Sequence, residues 1–185
     1  MSDHACDHVG IAAPVAVPLA NPPAAIHLPS PPAYTPPRNP KPWDEIFMEQ
    51  ARTIAERSKD PSTQHGAIIV DRRHRVVSEG FNGPPRTAPD AQVDWSRPAK
   101  YAWVIHAEEN AVLFGLSARG IDGLDGCVLY VTGQPCPGCM KLLAHVGIGE
   151  VRYGARGSAC VDAEKWELSR RIARTCGVML TQVEG

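Results

Sequence analysis

The sequence has no uninterrupted apolar stretch near the roughly 18 residues that a membrane-spanning helix requires. Its most apolar segment, Ile11 to Leu28, is broken by Pro14, Pro18, Pro22 and Pro23. Asp3 and Asp7 precede that segment, where a signal peptide would be basic. A cytoplasmic protein with no membrane partner is therefore expected. An excess of charge of one sign is also missing, since 19 Lys and Arg face 20 Asp and Glu for a formal net charge of −1. Polymeric nucleic acid is recognised by a basic face, so no such partner is expected. The six cysteines lack the spacing of a disulfide framework. Cys6, Cys127, Cys160 and Cys176 read as small apolar side chains in a reducing compartment.

Proline is abundant, but unevenly placed. Eleven of the 18 prolines fall in residues 1–42, where Asp3, Asp7, Arg38 and Lys41 are the only Asp, Glu, Lys or Arg residues. Such a segment lacks backbone donors and apolar periodicity, and reads as a flexible tail with polyproline II character. Its alternative is a ligand for a proline-binding partner. His4, Cys6 and His8 lie in this tail, where the cost of ordering makes adventitious metal binding the simpler reading. Residues 43–185 are long enough for one domain with its own core.

From Trp43 the apolar pattern becomes periodic. Ile46, Phe47, Ile54 and Ala55 share one helical face, and Pro61 lies beyond the helix end. Residues 65–70 and 76–81 read as a hairpin around the turn 71–75. A polar connection over 86–99 leads to a helix over 107–116. A strand over 127–131, a helix over 138–146 and a strand over 151–153 follow. A helix over 164–175 is closed by Gly177 before a strand over 178–180. Strands alternating with helices after an initial hairpin predict an α/β fold, a mixed sheet with helices on both faces.

Two short motifs carry chemistry on this frame. His106-Ala107-Glu108 opens one predicted helix, and Pro135-Cys136-Pro137-Gly138-Cys139 opens another. An imidazole and two thiolates make three strong ligands for zinc, one fewer than a closed tetrahedral site needs. The open position suits a water, which zinc would convert to hydroxide near neutral pH. Glu108 is placed to shuttle its protons. Two helix N-termini facing the ion would help keep Cys136 and Cys139 ionised. No fourth ligand is near either motif, and His145 falls on a different face from Cys139. A structural zinc module that happens to carry a glutamate is the bland rival. Asn82, in a Gly/Pro-rich loop after a strand, is either a turn former or a substrate-contacting amide. Lys59 ahead of Pro61 suits a helix C-terminus on dipole grounds alone.

Together these residues resemble the deoxycytidylate (dCMP) deaminases of the cytidine deaminase superfamily. The H-x-E and P-C-x-x-C pair is common to zinc nucleobase deaminases. The other pieces of the resemblance are Trp43 to Met48, Arg57 to Gln64, Gly80 to Gly83, Arg97 to Tyr101 and His106 to Ala111, of which Ser58 to Gln64 and Lys100-Tyr101 with His106 to Ala111 are more particular to the nucleotide deaminases. The resemblance implies a three-layer α/β/α cytidine-deaminase-like fold with a mixed five-stranded sheet. It implies hydrolytic deamination of dCMP, or of a 5-substituted dCMP, at a zinc-bound hydroxide. Zinc would sit on His106, Cys136 and Cys139, with Glu108 as proton shuttle. Asn82 would contact the sugar, while Ser58, Lys59, Lys100 and Tyr101 would surround the 5′-phosphate. It also implies a homo-oligomer, hexameric in some members, activated by dCTP and inhibited by dTTP. The chain departs from the family pattern at His65, where a small apolar residue is usual. It departs again at Pro84-Pro85-Arg86-Thr87, after the Asn-Gly pair. A deaminase for free cytidine or tRNA adenosine shares the zinc apparatus and stays as an alternative. So does a zinc-stabilised interaction module.

Overall fold

The computed structural model describes residues 39–156 and 163–183. The tail reading for residues 1–42 falls outside the described residues except at 39–42, as do His4, Cys6, His8 and Cys160.

Helix α1 (Trp43–Ala55) precedes a hairpin of β1 (Gly66–Val70) and β2 (Val76–Phe81). Then come α2 (Ala107–Arg119), β3 (Val128–Val131), α3 (Pro137–His145), β4 (Glu150–Tyr153), α4 (Ala163–Cys176) and β5 (Met179–Gln182). The five strands form one sheet in the order β2-β1-β3-β4-β5. β1 pairs antiparallel with β2 and β3, whereas β3–β4 and β4–β5 pair parallel. The sheet is therefore mixed, as expected. Short 3₁₀ turns over Asp90–Gln92 and Ala99–Ala102 break up what reads in the sequence as a plain polar connection.

Alternation along the strands assigns the layers. Ile68, Val70 and Tyr130 face one side and bury Phe47, Met48 and Ala51 of α1. Ala67, Ile69, Leu129, Val131 and Val151 face the other side, beneath Ala111 and Val112 of α2, Met140 and Leu143 of α3 and Ala173 of α4. β1 is buried on both faces, which is why His65 to Val70 shows no polar alternation in sequence. The result is a three-layer arrangement, with one helix on one face and three on the other.

Helix α2 is fixed to β2 closely enough to set its N-terminus. A Cβ on Gly80 would collide with Ala107 O and Ala111 N, so only glycine lets the helix backbone lie this near the strand. Ser78 Oγ donates to Ala111 O at 2.7 Å, and Asn110 Nδ2 donates to Phe81 O at 2.7 Å. Gly177, at φ +74°, turns the chain from α4 toward β5 in the left-handed conformation that side chains resist. No helix of the described residues is long and apolar enough to cross a membrane.

Candidate metal centre

His106 stands at the N-cap of α2, in extended backbone conformation, and its N–H donates to Glu109 Oε2 at 2.8 Å. Cys136 is the N-cap of α3, with Pro137 in the first turn, where its missing N–H costs nothing. Cys139, one turn later, donates its N–H to Cys136 Sγ at 3.5 Å. Two helix starts thus deliver three ligand atoms to one point, all within 4.8 Å of one another. His106 Nδ1 is 3.7 Å from Cys136 Sγ and 3.3 Å from Cys139 Sγ. Tetrahedral zinc with bonds of about 2.0–2.3 Å holds its ligands roughly 3.5 Å apart, so both the spacing and the donor types fit that ion.

The electrostatics of the cluster fit a divalent cation as well. The Cys136 sulfur is held at about 4, first by its hydrogen bond with Cys139, then by His106. His106 is pushed up to about 9, chiefly by its hydrogen bond to Cys136, and the hydrogen bond with Cys136, followed by burial, carries Cys139 well above the thiol range. Without a metal the cluster therefore keeps protons on His106 and Cys139 that a divalent ion would displace. Glu108 is buried two residues along the chain from His106, and burial pushes its carboxyl up to about 7. A carboxyl in that range can both take and give a proton near neutrality.

These groups open on one cleft, where polar side chains meet the apolar Val104 and Ala107, a mixture suited to a small molecule. His106, Glu108 and Cys136 line one part of it, and Asn82, Lys100 and Tyr101 also reach it. Asn82 is held at both ends of its amide. Its Oδ1 accepts from His65 N at 2.7 Å, and its Nδ2 donates to Thr63 O at 2.9 Å. It locks the end of β2 to the segment entering β1 while facing the cleft.

The structure does not bring Ser58 and Lys59 there. Ser58 is buried, accepting from Asp60 N and, through its carbonyl, from Gln64 Nε2. Lys59 points outward and pairs with Asp90 on the surface. Lys100 reaches the cleft but is already committed. Its Nζ donates to both Asp60 carboxylate oxygens, at 2.8 and 2.6 Å, and to Ser62 Oγ at 2.6 Å. Both partners of this ion pair are 2% exposed. Asp60 also gathers the backbone N–H groups of Ser62 and Thr63. The pair organises the loop rather than presenting a free cation. The partnership spans 40 residues, and no spacing rule in the sequence announces it.

Burial alone would raise the Asp60 pKa. Lys100 and the loop donors outweigh it and hold the carboxyl below its ordinary 3.8. That stabilisation is complete above the unfolded value and is lost as acid protonates Asp60. Asp60→Ala strands a buried ammonium and is expected to cost about 3–5 kcal/mol of stability. Adding Lys100→Met should restore part of it. Chemical unfolding of both variants checks this; equal stability of Asp60→Ala and the parent would remove the pair from the loop's support.

His65 and Ser169 complete the surroundings. His65 Nδ1 lies 2.9 Å from Thr132 Oγ1, and burial followed by the Arg156 charge brings its pKa down to about 4. It is a neutral cleft residue and belongs to no metal cluster among the described residues. Ser169 Oγ of α4 donates to Pro135 O at 2.7 Å, bracing the segment that carries Cys136. A lone serine in a polar helix gives no sign of this in the sequence.

Residues 41–155 match the family described as cytidine and deoxycytidylate deaminase zinc-binding region. The chain belongs to that family. Membership makes it a hydrolase of carbon–nitrogen bonds, a deaminase. It is 38% identical over 142 residues to deoxycytidylate deaminase of Mus musculus, covering 74% of this chain and 76% of that one. It is 41% identical over 141 residues to an uncharacterized deaminase in the luxG 3′ region of Aliivibrio fischeri, covering 75% and 92%. Among solved structures, it is similar to the dCMP deaminase of cyanophage S-TIM5 in complex with dCMP and dUMP. The TM-score there is 0.64 at 25% identity, with 78% of this chain and all of that one covered.

Proposed function

We propose that this deaminase hydrolyses dCMP to dUMP and ammonia, with zinc on His106, Cys136 and Cys139 and with Glu108 moving the protons. The observation that carries this reading is the convergence of three ligand atoms within 4.8 Å beside a buried glutamate in one cleft. Zinc held there would supply the Lewis acidity that makes a water nucleophilic at neutral pH. Glu108 would move one proton from the attacking water to the ring nitrogen. It would then move the remaining hydroxyl proton to the departing amino group, which leaves as ammonia. Its burial keeps bulk water from competing for those transfers. Asn82, fixed by His65 and Thr63, keeps one amide hydrogen and one carbonyl lone pair for the sugar. The choice of nucleotide rests on likeness to the mouse and cyanophage enzymes, named for deoxycytidylate.

A cytoplasmic location is proposed because Cys127 and Cys176 form no disulfide among the described residues and Cys136 and Cys139 are set aside as metal ligands. Leu113, Phe114 and Ile121 are exposed apolar side chains of the kind a homo-oligomer would cover. The test is ammonia release from a panel of dCMP, 5-hydroxymethyl-dCMP, deoxycytidine, cytidine and a tRNA anticodon stem, with and without dCTP. dCMP should give the largest kcat/KM. A preference for deoxycytidine or tRNA would overturn the nucleotide assignment, and no release from any substrate would leave a zinc module.

A further inference from the structure

The basic residues near the cleft fall into two groups. Lys59 and Lys100 are paired with Asp90 and Asp60. Arg97 and Arg156 form no ion pair with a carboxylate among the described residues. Both guanidinium groups instead reach the same short stretch of loop. Arg97 Nη2 lies 3.0 Å from Thr63 Oγ1 and 3.4 Å from Ser62 Oγ. Arg156 Nη1 donates to Gln64 O at 2.6 Å. The two arginines come from chain positions far apart, yet they line one hollow together with Ser62 and Thr63.

That hollow adjoins the cleft, because Asp60 and Thr63 line both. The Arg156 charge is felt by His65 in the cleft, where it adds to burial in disfavouring the imidazolium. Asp60 is the carboxylate in the hollow, and Lys100 already balances it. The net charge facing the hollow is therefore positive, in a chain whose overall charge is −1. Each guanidinium carries five N–H donors and spends only a few on the loop. What remains is a pair of planar forks beside two hydroxyls, which is how proteins hold a phosphate monoester dianion. The Arg156 backbone is anchored too: its N–H donates to Thr132 O at 3.2 Å, and its carbonyl packs where Gly133 has no Cβ.

We propose that Arg97 and Arg156, with the hydroxyls of Ser62 and Thr63, form the subsite for the substrate's 5′-phosphate. This subsite takes the place of the one expected at Lys59 and Lys100, and it rests on the nucleotide reading above. The loop organised by Lys100 and Asp60 becomes the platform on which the arginines meet the phosphate, so a cation can be essential there without touching it.

Steady-state kinetics on dCMP and deoxycytidine, with calorimetric binding of dUMP and deoxyuridine, tests the subsite. Arg97→Ala and Arg156→Ala should each lower kcat/KM for dCMP about 10- to 100-fold, mainly through KM. Both should weaken dUMP binding to a similar degree. Rates on deoxycytidine and binding of deoxyuridine should stay within about twofold of the parent, which also reports an intact fold. Lys59→Ala should leave both substrates unchanged. An Arg97→Ala/Arg156→Ala double variant that retains parental kcat/KM for dCMP would overturn the subsite while leaving the reaction standing. Equal losses on dCMP and deoxycytidine would also overturn it, making the arginines supports of the loop. A parent chain that binds dUMP through these arginines but does not deaminate dCMP would keep the subsite and refute the reaction. A parent chain that neither binds dUMP nor turns over dCMP would refute both.

Discussion

Glu108→Gln is expected to keep its zinc and its substrate affinity and to lose turnover of dCMP by at least about 10²–10⁴-fold. That range is typical for one general acid–base group, and here the same carboxyl serves several successive proton transfers. The substitution changes little else. The amide is nearly isosteric, and Glu108 sits in the first turn of α2 without being a ligand of the cluster. The helix start is held by Glu109 capping His106 and by the seat of α2 on Gly80. The fall should therefore lie in kcat with KM nearly unchanged. Metal analysis and single-turnover kinetics on the purified variant would check it. Turnover within tenfold of the parent would remove Glu108 from the proton path.

Cys139→Ser is expected to be the most damaging change to the metal site. Cys139 is 1% exposed within α3, whereas Cys136 is more open. Serine is a poor zinc ligand at neutral pH, and the two protein ligands left are fewer than the three that an open zinc site keeps. Because the cluster joins α2 to α3 across 33 residues of chain, metal affinity contributes directly to folding stability. Loss of zinc should appear together with a lower midpoint of thermal unfolding, and added zinc should raise the midpoint of the parent but not of the variant. In the parent, zinc must displace protons from His106 and Cys139. Affinity should therefore rise with pH through neutrality and fall in acid. A Cys139→Ser chain that purifies with one equivalent of zinc would contradict the ligand set.

Most of the frame was legible because it depends on local pattern. The hairpin strand 76–81 was read at its observed bounds, since Val76 to Phe81 is flanked by a polar turn and by Asn-Gly-Pro. The helix read over 107–116 begins at its observed residue, and the one read over 138–146 begins one residue after its observed start at Pro137. Helix α2 runs on to Arg119, beyond the expected 116, and ends at Gly120, whose φ of +71° leaves the helical region. The polar half of the cleft was harder to read. Whether a lysine offers its charge to a ligand depends on what else is buried beside it. Lys100 and Lys59 look alike in sequence, yet one is sealed against Asp60 and the other lies on the surface. Arg97 opens the Arg97 to Tyr101 string and Arg156 lies in no motif, and the two meet only through the loop between them. Short motifs announce the candidate metal ligands because Cys136 and Cys139 sit one helical turn apart. Long, flexible cations gathered from distant segments carry no such spacing.

The most direct test is a titration of the zinc-free chain with zinc, following the conversion of dCMP to dUMP. Activity should be absent without metal, rise in proportion to zinc, and level off at one ion per chain. Full activity in the zinc-free chain, or a fully loaded chain that leaves dCMP intact, would contradict zinc-dependent deamination of this nucleotide.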